Sequence, residues 1–121
     1  MPIPDGLYEV AYYDGEQPSD AFERLLAVSR NGKLTGSDRY GGVFIGEIVA
    51  DRENQAQVAI SVSYEVPPFG ELVTGFTGGH DGATARISGT FEFSYPQTRS
   101  VIIVEGKPAY VEINFLGSVP D

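Results

Sequence analysis

The sequence predicts an all-β protein: one domain over residues 1–121, built as an eight-stranded antiparallel up-and-down barrel. Three observations predict it. Apolar side chains occupy every second position from Ala56 to Val66, namely Ala56, Val58, Ile60, Val62, Tyr64 and Val66. The pattern returns in Ala83, Ala85, Ile87, Phe91, Phe93 and Tyr95. A period of two marks a strand with one dry and one wet face. Long one-sided antiparallel strands curve around a core and close into a barrel or sandwich. The third observation is punctuation: 15 glycines and 8 prolines suit many strands joined by tight turns.

Residues 7–13 open the fold, with Tyr8, Val10 and Tyr12 on one face and Leu7, Glu9, Ala11 and Tyr13 on the other. Asp14-Gly15 begins a turn, and Gln17-Pro18-Ser19 extends the loop. Residues 20–30 carry two signals. Asp20 and Glu23 resemble a capping box, with Phe22, Leu25 and Leu26 at helical spacing. Leu26, Val28 and Arg30 instead read as a strand running into Asn31-Gly32, a strong hairpin signal that needs a strand on each side. A strand over 22–30 is the expectation, with a helix as the alternative. Residues 33–37 return, and 38–42 turn. Residues 43–51 form the fourth strand, with Phe44, Gly46, Ile48 and Ala50 on one face. Glu53-Asn54 turns into the strand 55–66, which Pro67-Pro68 stops because proline donates no ladder bond. Residues 67–82 are the longest irregular stretch, where Leu72 to Phe76 could lie across a barrel mouth. The strand 83–95 follows. The pair 99–105 and 108–117 completes the set, and the apolar run Val101 to Val104 reads as a core segment.

Composition narrows the function. A chain of 121 residues buries one real core without staples. It has no cysteine, and its start has no basic n-region or apolar h-region, so a cytoplasmic protein without a signal peptide is expected. No apolar run approaches the ~20 residues that span a bilayer as a helix. Seventeen acidic against eight basic residues give a net charge of −9, which repels phosphate backbones and anionic lipids. Direct nucleic-acid or membrane binding is therefore not expected. The charge serves solubility or a basic protein partner.

Catalytic and metal motifs are sparse. His80, the only histidine, sits in Gly78-Gly79-His80-Asp81-Gly82, where adjacent side chains rarely converge. It reads as an exposed loop residue. One histidine and no cysteine leave no metal set, and neither a nucleophile elbow nor a phosphate loop is present. No cofactor is expected. Gly41, Gly42 and Gly46 read as a hairpin turn followed by a small-residue position in a curved strand.

The aromatic residues carry more information. Tyr8, Tyr12, Phe44, Tyr64, Phe91, Phe93 and Phe115 share strand faces with aliphatic residues. A closed eight-stranded barrel either fills its interior with such side chains or holds one small ligand. The expected ligand-facing set is Tyr8, Val10, Tyr12, Phe44, Ile60, Val62, Tyr64, Phe91 and Phe93. A packed core is the competing expectation.

The segment Asp5-Gly6-Leu7-Tyr8, the run Asn31-Gly32-Lys33-Leu34-Thr35-Gly36-Ser37-Asp38-Arg39-Tyr40 and the glycine at Gly46 resemble the GrlR-like family of small bacterial proteins. Ile87-Ser88-Gly89-Thr90-Phe91 fits loosely. The resemblance implies a lipocalin-like barrel that forms a homodimer and can hold an apolar molecule. The family's namesake represses type III secretion genes by engaging a DNA-binding activator through an acidic loop. That acidic run is missing here. Asp51-Arg52-Glu53 is interrupted and Glu65 is isolated.

Together these readings lead to a non-enzymatic binding or regulatory module in the bacterial cytoplasm. It would bind an apolar small molecule, a protein partner, or both. Two alternatives stand beside it. One is a small barrel enzyme acting on an apolar substrate, which needs Asp38 or His80 at the barrel mouth beside a tyrosine. The other is a plain interaction scaffold with a filled core and a conspicuous outer surface.

Overall fold

The computed structural model describes residues 4–13, 23–38, 41–50, 57–72 and 75–119. The expected turns at Asp14-Gly15 and Glu53-Asn54, the capping-box residue Asp20 and the segment Asp51-Arg52-Glu53 lie outside them. Eight strands follow one another: β1 (Gly6–Tyr13), β2 (Glu23–Arg30), β3 (Lys33–Ser37), β4 (Val43–Ala50), β5 (Gln57–Val66), β6 (Ala83–Glu92), β7 (Gln97–Val104) and β8 (Lys107–Gly117). Each pairs antiparallel with the next, and β1 pairs with β8 to close the barrel. The expected eight-stranded up-and-down barrel is therefore what forms. Residues 23–30 are a strand, so the hairpin signal at Asn31-Gly32 prevails over the capping-box signal.

Pleat and register decide what faces inward. On β1 the inward side chains are Tyr8, Val10 and Tyr12, and on β2 they are Leu25, Ala27 and Ser29. Leu26 therefore points outward, 52% exposed. The run Val101 to Val104 splits the same way: Ile102 and Val104 are buried, while Val101 and Ile103 are exposed. It is a one-sided strand and not a fully buried segment. The outward face of β1 is not uniformly wet either. Ala11 is fully buried there, in register with Arg24 of β2 and Glu112 of β8. Around it runs a polar ladder. Arg24 meets Glu9 at 2.8 Å, Arg99 donates to Glu112 at 3.0 Å, and the Asn114 amide reaches both carboxylates.

The seams differ in length. β5 and β6 pair over ten residues, and β7 and β8 over eight. β6 and β7 pair only at Ile87–Val104 and Ser88–Ile103. β6 ends at Glu92, short of the expected 95, because the chain turns through 93–96 before β7.

Both ends of the barrel are stoppered. At the end holding Gly6 and Gly117, Tyr8 meets Phe115 and Phe93 edge-on, with centroids 5.3 and 6.4 Å apart. Tyr95 tilts onto Phe115 at 5.2 Å. The Tyr8 hydroxyl donates to the Pro4 carbonyl at 2.6 Å. At the opposite end residues 67–72 and 75–82 face each other as a small ribbon. Phe69 N–H donates to Gly79 O, Gly78 N–H to Gly70 O and Leu72 N–H to Phe76 O, each at 2.8 Å, with Glu71 bridged to Thr77. Leu72 and Phe76 pack down against the core and are hydrogen-bonded to each other across this mouth, while Val73 and Thr74 of the expected segment lie outside the described residues.

Candidate functional site

The inward faces converge on one elongated interior space. Of the nine residues expected there, Tyr8, Val10, Tyr12, Phe44, Ile60, Val62, Tyr64 and Phe91 line it. Phe93 does not. β6 has already ended, and its ring joins the stopper against Tyr8. The expected set did not include Leu25, Ala27, Ser29, Leu34, Ile48, Ile87, Ile102, Val111 and Ile113, which also line it. Alternation along each strand was the available signal. Ser29 could not be found that way, because a serine at an inward position breaks the pattern.

The space left is small. The cavity measures about 60 Å³. Sites for drug-sized ligands are roughly 300–1,000 Å³, and a dry pocket that admits benzene is about 150 Å³. Side chains fill most of the barrel. Phe44 stacks on Tyr64 with centroids 5.4 Å apart, and Gly36 of β3 makes room for the Phe44 ring. A Cβ at Gly36 would overlap the Phe44 ring and the Leu26 carbonyl oxygen.

Two polar features face this apolar space. The Ser29 hydroxyl is buried, 2% exposed as a residue, and has no hydrogen-bond partner. At the other end, Asp38 gathers donors from two elements. Its Oδ2 accepts from the Tyr64 hydroxyl at 2.5 Å, and its Oδ1 accepts from Gly42 N–H at 2.8 Å. Asp38 N–H donates to Gly42 O at 3.0 Å, so one aspartate closes the turn and ties it to β5. Burial raises the pKa of Tyr12, and the charge of Asp38 adds to the rise. Burial also pushes Tyr8 up to about 12, with Tyr95 and Asp5 contributing.

Asp38 thus stands at a barrel mouth beside a tyrosine, the arrangement that the enzyme alternative requires. Its carboxylate oxygens are engaged in holding the turn, which is a structural task. His80 does not join it. The ring is exposed on the ribbon against Phe69, 5.4 Å between centroids. Among the described residues no group of three or more His, Cys, Asp or Glu side chains could hold a metal ion. Among the same residues no helix is long and apolar enough to cross a membrane.

The outer wall supplies a second candidate surface. Val43, Ile45 and Val49 of β4 are 45%, 63% and 58% exposed, and Leu26 of β2 lies beyond β3 from Val43. Glu47 interrupts the strip and pairs with Lys33 at 3.5 Å.

No family model, no curated protein and no solved structure matches this chain.

Proposed function

We propose that this chain is a non-enzymatic binding module that acts through protein contact on the outer face of β2–β4. A second copy of the chain, a basic partner, or both would occupy that face. The observation that carries the reading is a contrast in the barrel wall. The inside retains only about 60 Å³, while β4 turns three branched apolar side chains outward. Exposed apolar side chains clustered on one face and bordered by charged residues mark interaction sites on small proteins. The net charge of −9 favours a basic partner over nucleic acid. The resemblance to the GrlR-like family supports the same reading, since its namesake works by protein contact as a dimer. A cytoplasmic, bacterial setting belongs to this proposal.

A second reading rests on Ser29. A buried hydroxyl without a partner, facing apolar walls, suits a slim apolar molecule with one hydrogen-bonding group. Water is poorly held there, since it needs two to four polar partners. Such a ligand requires the interior to widen.

Native mass spectrometry on protein purified without detergent tests both readings. The expected result is a dimer that Ile45→Glu converts to monomer with an unchanged melting temperature. Extra mass released on denaturation would shift weight to the interior site. A clean monomer for both proteins removes the second copy and leaves only a basic partner for the β2–β4 face.

A further inference from the structure

Three non-glycine residues among those described have positive φ: Asn31 at 52°, Phe69 at 64° and Glu105 at 48°. Asn31 and Glu105 each precede a glycine in a two-residue hairpin turn, where left-handed backbone is required. Phe69 is the third residue of the β-turn Pro67–Gly70, closed by Gly70 N–H on Pro67 O, a position that takes positive φ and that glycine or asparagine usually fills. A bulky residue in this region crowds its own Cβ, whereas glycine adopts it freely.

The ribbon leaves Phe69 no alternative. Its N–H is fixed on Gly79 O at 2.8 Å, and the next amide, Gly70 N–H, donates to Pro67 O at 2.9 Å. A Cβ at Gly78 would overlap the Pro67 carbonyl oxygen, so the two sides of the ribbon are in close contact. Pro67-Pro68 stiffens the approach. Strained positions persist when their surroundings over-determine them, and they cluster where function needs them.

The side chain gains little for folding in return. Phe69 is 75% exposed, the most exposed large apolar residue among those described. Among the described residues its ring contact is with His80, which is itself exposed. The chain therefore holds an aromatic ring in water, on a rigid support, at a position that glycine would fill without strain.

We propose that Phe69 is a docking anchor that enters an apolar pocket on a partner protein, and that lysine or arginine side chains rim that pocket. An aromatic ring fixed in place before contact loses little freedom on binding, and such rings dominate interface energetics. The rim follows from charge. Residues 67–82 include Glu71 and Asp81 and no lysine or arginine, in a chain of net charge −9. Both acids are exposed. An anionic membrane would be repelled by the same charges. The inference deepens the protein-partner reading but names a contact at the barrel end, separate from the β2–β4 face. Either contact can fail without the other.

The test places the photo-crosslinker p-benzoylphenylalanine at position 69 of the full chain in cells, with exposed Ser88 as the control position. The expected result is one major protein adduct, mapped to an apolar pocket bordered by lysine or arginine. Binding of that purified partner should weaken at least tenfold in Phe69→Gly and weaken in high salt, yet persist in Ile45→Glu. Phe69→Gly alone should raise the melting temperature by about 2–5 °C as the strained backbone relaxes. Lipid adducts, no adduct above the Ser88 control, or a lower melting temperature in Phe69→Gly would each overturn the proposal.

Discussion

Asp38 shows how much one side chain can organise in a small barrel. Its carboxylate accepts from Gly42 N–H and from the Tyr64 hydroxyl, so the β3–β4 turn and β5 share a single anchor. Removing the hydroxyl with Tyr64→Phe should cost about 1–2 kcal/mol, read as a lower urea midpoint with an unchanged slope. The tyrosines also set the alkaline limit of the fold. Tyr8 titrates near 12 in the folded chain against about 10 when unfolded, and the Tyr12 pKa is raised as well. A raised folded pKa means that the folded state keeps protons the unfolded state has lost. The stabilisation is complete below about pH 10 and is lost as pH climbs from about 10 through about 12. Phenolate absorbance should show Tyr8 ionising together with unfolding. Tyr8→Phe should make stability less steep in pH over that window. At this scale the sequence was readable wherever a side chain followed the alternation. Tyr8, Tyr12, Phe44 and Tyr64 stood out. Ser29 did not, because nothing in a linear pattern distinguishes an inward serine from an outward one.

Among the elements, β3 and β4 depend on what they lack. Gly46 faces inward, and a Cβ there would lie 2.5 Å from the Ser61 carbonyl oxygen and 2.6 Å from a Val62 methyl. The obstruction is partly backbone and cannot swing aside. Gly46→Ala should therefore destabilise by about 1–3 kcal/mol in chemical denaturation, although alanine is tolerated in most strands. The inward face of β6 is tested by Phe91→Asp, which puts a carboxylate where the ring is 7% exposed. Loss of the cooperative thermal transition is expected; a soluble, unchanged fold would mean that this face points outward. Strand placement was largely legible, since Asn31-Gly32, Pro67-Pro68 and the alternating runs are local signals. The end of β6 was not. Phe93 and Tyr95 continue the alternation on paper, yet the chain has already turned, and those rings cap the barrel instead of lining it. Where a curved strand stops depends on the stagger of the closed barrel, which is a property of all eight strands together.

For the whole molecule, closure joins β1 to β8 across nearly the full length of the chain, and that seam is long. The short seam lies between β6 and β7, with two paired positions. Native-state hydrogen exchange should find the least protected strand amides on the facing sides of these two strands, and the most protected on β5, which is paired along its whole length with β6. Uniform protection around the barrel would contradict this. The volume of the interior was the property least legible in the sequence. The same inward list suits a pocket or a packed core, and only the stagger and the close approach of the Phe44 ring to Gly36 show how far the side chains fill it.

The narrow β6–β7 seam has a consequence for behaviour in concentrated solution. A cylinder has no free margins, and this one comes within two residue pairs of having two. If the seam parts, β6 and β7 each present a row of unsatisfied amides and carbonyls, the template on which another chain can add a strand. The outward-facing Val101 and Ile103 of β7 would give that template an apolar flank. Strand exchange between copies, and then linear polymers, should therefore begin at β7 under mildly destabilising conditions. A disulfide linking β6 to β7 should suppress them.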